Sequence, residues 1–190
     1  MQDFRKIFSS TLFPLRSQRA FTLIELLWSV AVGAILSTIG VAAFLDYSRS
    51  QTLVTATTDI ASMLQVARSR AQSQVKPTVG ACVSAPLDGY KVLICGLAGS
   101  VCSPGNADYE LVAVCGGTNV FPAVSSKTLP AKPNISFNQS GTTIREVLFR
   151  VLSGGVDGSG TIKIEGYNNT CKVISIDSVS KITVNDISCS

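Results

Sequence analysis

From Phe21 to Leu45 the chain reads FTLIELLWSVAVGAILSTIGVAAFL, apolar or small at nearly every position, with one charge, Glu25. Neither a charge nor a proline falls between Leu26 and Leu45. A helix over that stretch is roughly 30 Å long, enough to cross the hydrocarbon core of a bilayer. A carboxylate inside such a segment is costly in lipid and calls for a partner. Further along the pattern changes. Leu53, Ala56, Ile60, Leu64, Ala67 and Ala71 recur at spacings of three and four, one stripe on a helix. Asp59, Gln65, Arg68, Arg70, Gln72 and Gln74 fill the other side, so Arg68 and Arg70 read as members of a solvated face. Pro77 marks the end, because the residue before a proline leaves the helical region. The pattern therefore predicts one helix from about Phe21 to about Gln74, apolar all round at first and amphipathic later.

The remainder reads as strands. Thr78–Ser84 and Tyr90–Leu97 are apolar or β-branched runs around Pro86-Leu87-Asp88-Gly89, a turn signal. Tyr109–Cys115 is a third run, and Val120–Val124 a short edge piece limited by Pro122. After a connector containing Pro130 and Pro133 come Ile135–Phe137, Glu146–Leu152, Gly160–Glu165, Lys172–Ile176 and Lys181–Val184. Phe149, Val151, Ile162 and Ile164 alternate with polar or small residues, as half-buried strands do. The glycine-rich stretch Gly154–Gly160 joins two strands, lacks a following Lys-Ser/Thr and opens no helix, so it reads as a turn and not a phosphate cradle.

Ala20-Phe21-Thr22-Leu23-Ile24-Glu25-Leu26-Leu27, preceded by a basic leader, resembles the class III signal of type IV pilins and type II secretion pseudopilins. The resemblance implies cleavage by a prepilin peptidase between Ala20 and Phe21, N-methylation of Phe21, and a role for Glu25 in meeting a neighbouring subunit's terminal amine during assembly. That pairing is physically apt, since an ammonium satisfies a carboxylate that lipid cannot solvate. Ala20 stands where the family usually has glycine. Farther on, Met63–Ala71 followed by Val79–Ser84 resembles the GspH/FimT branch, with Arg70 where an acidic residue is more usual. That branch implies an α+β, pilin-like fold: a long N-terminal helix, membrane-spanning in its first half, packed on a C-terminal antiparallel β-rich domain of two packed sheets. The expected organisation is a cleaved leader at 1–20, a transmembrane and filament-core helix at 21–45, an amphipathic helix at 46–76, and a β-rich domain at 77–190. A secretory signal peptide fits less well, because the apolar run is too long and no A-x-A site follows it. A generic signal anchor gives no account of Glu25.

Charge changes meaning once the leader is set apart. The 190-residue chain has a formal net charge of +4, but Arg5, Lys6, Arg16 and Arg19 lie in the leader against Asp3 alone. What remains has twelve Lys/Arg against eleven Asp/Glu, a net of +1, which is no electrostatic argument for nucleic acid. The basic leader fits the positive-inside rule: N-terminus in the cytoplasm, a single pass through the inner membrane, and the C-terminal domain outside.

Six cysteines, Cys82, Cys95, Cys102, Cys115, Cys171 and Cys189, all follow the apolar segment. An even number in an exported domain points to disulfides. A zinc site would have to be all-cysteine with unusual spacings, since the chain has no histidine and no C-x-x-C, and no metal or other cofactor is expected. By resemblance to pilins, Cys171–Cys189 is the expected C-terminal bridge. Cys82–Cys95 and Cys102–Cys115 are the local choices among fifteen pairings.

Absence of histidine also removes Ser-His and Cys-His nucleophile pairs, so no catalytic residue is assigned and a structural role is expected rather than an enzyme. The resemblance implies a minor pilin or pseudopilin whose partners are prepilin peptidase, other pilin subunits and an inner-membrane assembly platform. The alternatives are a DNA-binding minor pilin and a signal-anchored extracytoplasmic β domain. For DNA, the tail Lys172–Ser190 offers Lys172 and Lys181 against Asp177 and Asp186, with no aromatic platform.

Overall fold

The computed structural model describes residues 22–97, 102, 103, 105–132 and 134–189. Helix α1 runs Leu23–Gln72 without a break, close to the predicted span. Two compact units divide the chain, residues 1–44 and 45–190.

In the first unit the described side chains of the helix are exposed, Leu23, Leu27, Trp28, Ile35 and Phe44 among them. The helix is long and apolar enough to cross a membrane.

In the second unit the helical stripe is the core-facing surface. Leu53, Ala56, Ile60, Leu64, Ala67 and Ala71 are all buried and join a single hydrophobic cluster with residues of both sheets. The first sheet contains β1 (Leu87–Ile94), β2 (Tyr109–Cys115), β3 (Thr118–Lys127), β5 (Glu146–Arg150) and β6 (Val156–Asp157), in the order β3-β2-β1-β5-β6. The second contains β4 (Ser136–Phe137), β7 (Gly160–Glu165), β8 (Thr170–Ile176) and β9 (Ile182–Ser188), in the order β4-β7-β8-β9. Every pairing is antiparallel. This is the expected α+β, pilin-like arrangement of a long N-terminal helix on antiparallel sheets.

One predicted strand is not a strand. Thr78–Ser84 includes a 3₁₀ turn at Gly80–Val83, closed by Ala85 N–H to the Ala81 carbonyl (2.9 Å). Gly80 has φ +58°, a left-handed conformation that breaks an extended run. The Pro86–Gly89 turn signal accordingly contains the start of β1, with a register irregularity between Leu87 and Gly89. Gly89 is required there by close approach: a Cβ would lie 2.2 Å from the Phe149 carbonyl oxygen of the paired strand β5. The edge piece at Val120–Val124 is longer than expected, because Pro122 sits on the sheet's outer strand and interrupts no ladder on its far side.

Strand β2 is buried along its whole length, and its polar residues carry partners into the interior. Glu110 accepts hydrogen bonds from the Ser103 N–H (2.9 Å) and the Ser126 hydroxyl (3.2 Å). Just before it, buried Asp108 accepts the Leu129 N–H (2.7 Å) and pairs with Lys132. Between them, Tyr109 packs edge-on against Phe137, with ring centroids 6.5 Å apart.

Two of the expected disulfides are replaced. Cys82 is bonded to Cys115 and Cys95 to Cys102, in place of Cys82–Cys95 and Cys102–Cys115. Strand geometry explains the change. All eight residues of β1 lie between Cys82 and Cys95, and Cys102 precedes the seven-residue β2, of which Cys115 is the last. At about 3.4 Å per residue, either strand spans about 20 Å, far beyond the roughly 7 Å that a disulfide spans between Cα atoms. The hairpin instead brings opposite ends together: Leu87 pairs with Cys115 and Ile94 with Tyr109. Cys171 is bonded to Cys189, joining β8 to the chain just beyond β9.

Candidate functional site: the start of the apolar helix

The helix start is built by Thr22 and Glu25. The Thr22 side-chain oxygen accepts the Glu25 N–H (3.3 Å), and the Thr22 carbonyl accepts N–H groups of Glu25 (3.1 Å) and Leu26 (3.2 Å). Thr22 thus acts as an N-cap, satisfying a backbone donor that has no partner inside the helix. The T-x-x-E spacing is that of a capping box. Glu25 lies in the first turn, where the positive end of the helix dipole favours a carboxylate. Among the described residues its carboxylate has no ion pair or hydrogen bond, and the Glu25 side chain is exposed on an apolar surface. The arrangement leaves one fixed negative charge in the otherwise uncharged stretch Leu23–Leu45 of the helix. Ala20 and Phe21, the residues of the expected cut, lie outside the described residues, as does the leader at 1–20.

The other sequence candidates fall elsewhere. Lys172 is paired with Asp186 across β8 and β9, which uses one of the two lysines in the tail read for DNA. Lys181 and Asp177 flank the turn between the same strands. Ligand atoms of Cys95, Cys102 and Glu110 lie within 4.8 Å of one another, a grouping that the sequence reading missed. The two sulfurs are joined in a disulfide and so offer no thiolate to a metal. Glu110 and Asp108, with their buried hydrogen bonds, were also missed as structural groups. The nearest signal was the unbroken apolar run Leu111–Cys115 that follows Glu110, the mark of a strand buried on both faces.

Residues 15–41 match the model of the prokaryotic N-terminal methylation motif. The match spans the end of the basic leader, the capped helix start and Glu25, and it supports a type IV pilin-like precursor that carries an apolar N-terminal helix. Comparison with curated proteins and with solved structures gives no match.

Proposed function

We propose that this chain is a minor pilin or pseudopilin of the GspH/FimT type, a structural subunit and not an enzyme. On this reading prepilin peptidase removes residues 1–20 and methylates Phe21. Residues 21–45 hold the precursor in the inner membrane and then pack in a filament core, and residues 46–76 join that core to the domain at 77–190. The N-terminus faces the cytoplasm and the β domain faces outward. The other partners are pilin subunits and an inner-membrane assembly platform.

The observation that carries this reading is the methylation motif lying across a capped helix start, where Glu25, the one helix charge before Asp46, has no partner among the described residues. In an apolar environment an unpaired carboxylate is costly, and a neighbouring chain's terminal ammonium would neutralise it. The helical stripe and the two-sheet domain support the GspH/FimT assignment.

The test is the N-terminal residue and intact mass of the protein from membranes with and without prepilin peptidase. N-methyl-Phe at position 21 is expected only with the peptidase; a retained leader in both would leave a signal-anchored β domain. A Glu25→Ala variant is expected to insert and be processed yet be lost from sheared filaments. Normal recovery of that variant would remove the assembly role of Glu25.

A further inference from the structure

A cavity of about 740 Å³ opens on the β domain, lined by Asp59 of α1, Glu110 of β2, Ser126 and Lys127 of β3, and Ser103 from the segment before β2. Two carboxylates, Asp59 and Glu110, share this lining with one ammonium, Lys127, so its net charge is −1. Lys127 lies 3.6 Å from Asp59, and both are exposed. Glu110 is the opposite case. It is 1% exposed, and among the described residues it has no ion pair. Residues 98–101 and 104 carry no basic side chain either. Its two hydrogen bonds come from neutral donors, the Ser103 N–H on one oxygen and the Ser126 hydroxyl on the other. A carboxylate accepts about four such bonds, so half of its capacity is left over. A buried carboxylate without a cation is costly.

Ser103 adds a second unmet group at the same place. Its N–H is spent on Glu110, but its hydroxyl oxygen is buried and has no hydrogen-bond partner. Buried polar groups are paired as a rule, and one left alone costs stability. An uncompensated carboxylate and an orphan hydroxyl on the residue bonded to it call for the same thing, a hydrogen-bond donor that carries positive charge.

We propose that this cavity binds a primary ammonium group, carried by a free amine or by a lysine side chain, with Glu110 as counter-ion and the Ser103 hydroxyl as second acceptor. The site goes beyond the filament-subunit reading and does not rest on it. An ammonium has one charge and three donors, which suits one carboxylate and a hydroxyl. A calcium ion takes about six to eight oxygen ligands, carboxylates prominent among them. Among the described residues, the ligand atoms gathered around Glu110 are the bonded sulfurs of Cys95 and Cys102, with no second carboxylate. A guanidinium grips a carboxylate through two parallel bonds, one to each oxygen. Here the Ser103 N–H and the Ser126 hydroxyl already occupy a position on each. Ser126 is exposed, and its hydroxyl can turn from donating to Glu110 to accepting from an incoming ammonium.

The experiment titrates the full-length, ¹⁵N-labelled chain in detergent micelles with butylammonium, with tetramethylammonium, which has the same charge and no N–H, and with calcium. Saturable amide shifts at Ser103, Glu110 and Ser126 are expected with butylammonium and with neither of the others. Glu110→Gln should weaken binding about tenfold or more, the loss expected of a charge-assisted hydrogen bond. Ser103→Ala should weaken it severalfold while leaving the urea midpoint unchanged, because the lost hydroxyl has no partner in the fold. That variant keeps the test open if Glu110→Gln does not fold. The proposal is overturned if butylammonium gives no saturable shift, if tetramethylammonium or calcium saturates the same amides, or if Ser103→Ala binds like the parent. Nα-acetyl-lysine methylamide then separates the two sources. Tighter binding than butylammonium assigns the site to a lysine side chain of a protein, and weaker binding to a free amine; either result upholds the ammonium site.

Discussion

The guanidinium of Arg68, on the amphipathic half of α1, donates a hydrogen bond to the carbonyl of Ser180, 112 residues further along the chain (3.1 Å). Arg68 is therefore not a member of a solvated face. It is half-buried and anchors the β8–β9 turn to the helix through a head group that finds a backbone acceptor. Neighbouring Arg70 is also engaged, its guanidinium 6.0 Å from the centre of the Tyr90 ring.

Arg68→Ala is expected to destabilise the β domain by about 1–2 kcal/mol, the worth of a charge-assisted hydrogen bond plus lost packing. Urea unfolding should show a lower midpoint at unchanged m-value. Amide exchange should accelerate first in the turn Asp177–Lys181. A midpoint equal to that of the parent protein would mean that the contact carries no stability.

The three disulfides close loops of unequal size, with sequence separations of 33, 18 and 7 residues for Cys82–Cys115, Cys171–Cys189 and Cys95–Cys102. In the chain-entropy model, their removal costs about 4, 3 and 2.5 kcal/mol in that order. Paired serine replacements should therefore lower the denaturation midpoint most for Cys82/Cys115 and least for Cys95/Cys102. Peptide mapping without reduction should recover these three links. Recovery of Cys82–Cys95 would contradict the β1–β2 geometry outright.

Tyr109 supplies a pH dependence. Its phenol is pushed up to about 12, mainly by burial and then by the carboxylates of Asp59 and Asp108. The folded protein holds this proton more tightly than the unfolded chain, whose tyrosine titrates near pH 10. The contribution is thus complete below about pH 10 and is lost as pH rises through about 12. A shift of that size corresponds to about 2–3 kcal/mol. Denaturant unfolding between pH 9 and pH 12 should show that loss in the parent protein and a shallower one in Tyr109→Phe. Equal slopes would remove the assignment.

Much of this fold was legible because its patterns are local. The stripe from Leu53 to Ala71 picked out six buried positions of the helix, beside which Thr57, Ala61 and Met63 are also buried, and β7 was read with its observed bounds. The misreadings came where a tertiary constraint outweighs composition. Thr78–Ser84 has a strand's residues, yet Gly80 at positive φ and the bond from Cys82 to Cys115 hold part of it as a 3₁₀ turn. The expected pairing of Cys82 with Cys95 followed from that misreading: with Thr78–Ser84 read as a strand, the two cysteines lie on neighbouring strands across the Pro86–Gly89 turn, whereas with β1 at Leu87–Ile94 they lie beyond its opposite ends. At the helix start, Glu25 stood out because one charge interrupts an apolar run. Leu152 did not: it reads as the end of the strand Glu146–Leu152, yet β5 ends at Arg150 and Leu152 has φ +67°, a left-handed backbone that its own residue type does not signal.

The nesting of Cys95–Cys102 inside Cys82–Cys115 has a consequence for biogenesis. Synthesis delivers these cysteines in the order 82, 95, 102, 115, so an oxidant acting on each as it appears would join 82 to 95 and 102 to 115. The native links need the first thiol to stay unoxidised until the β1–β2 hairpin has closed, or a thiol–disulfide exchange catalyst to correct the early pairs. The yield of this domain should therefore depend on the disulfide-isomerising capacity of the compartment that receives it, more than on its oxidising strength.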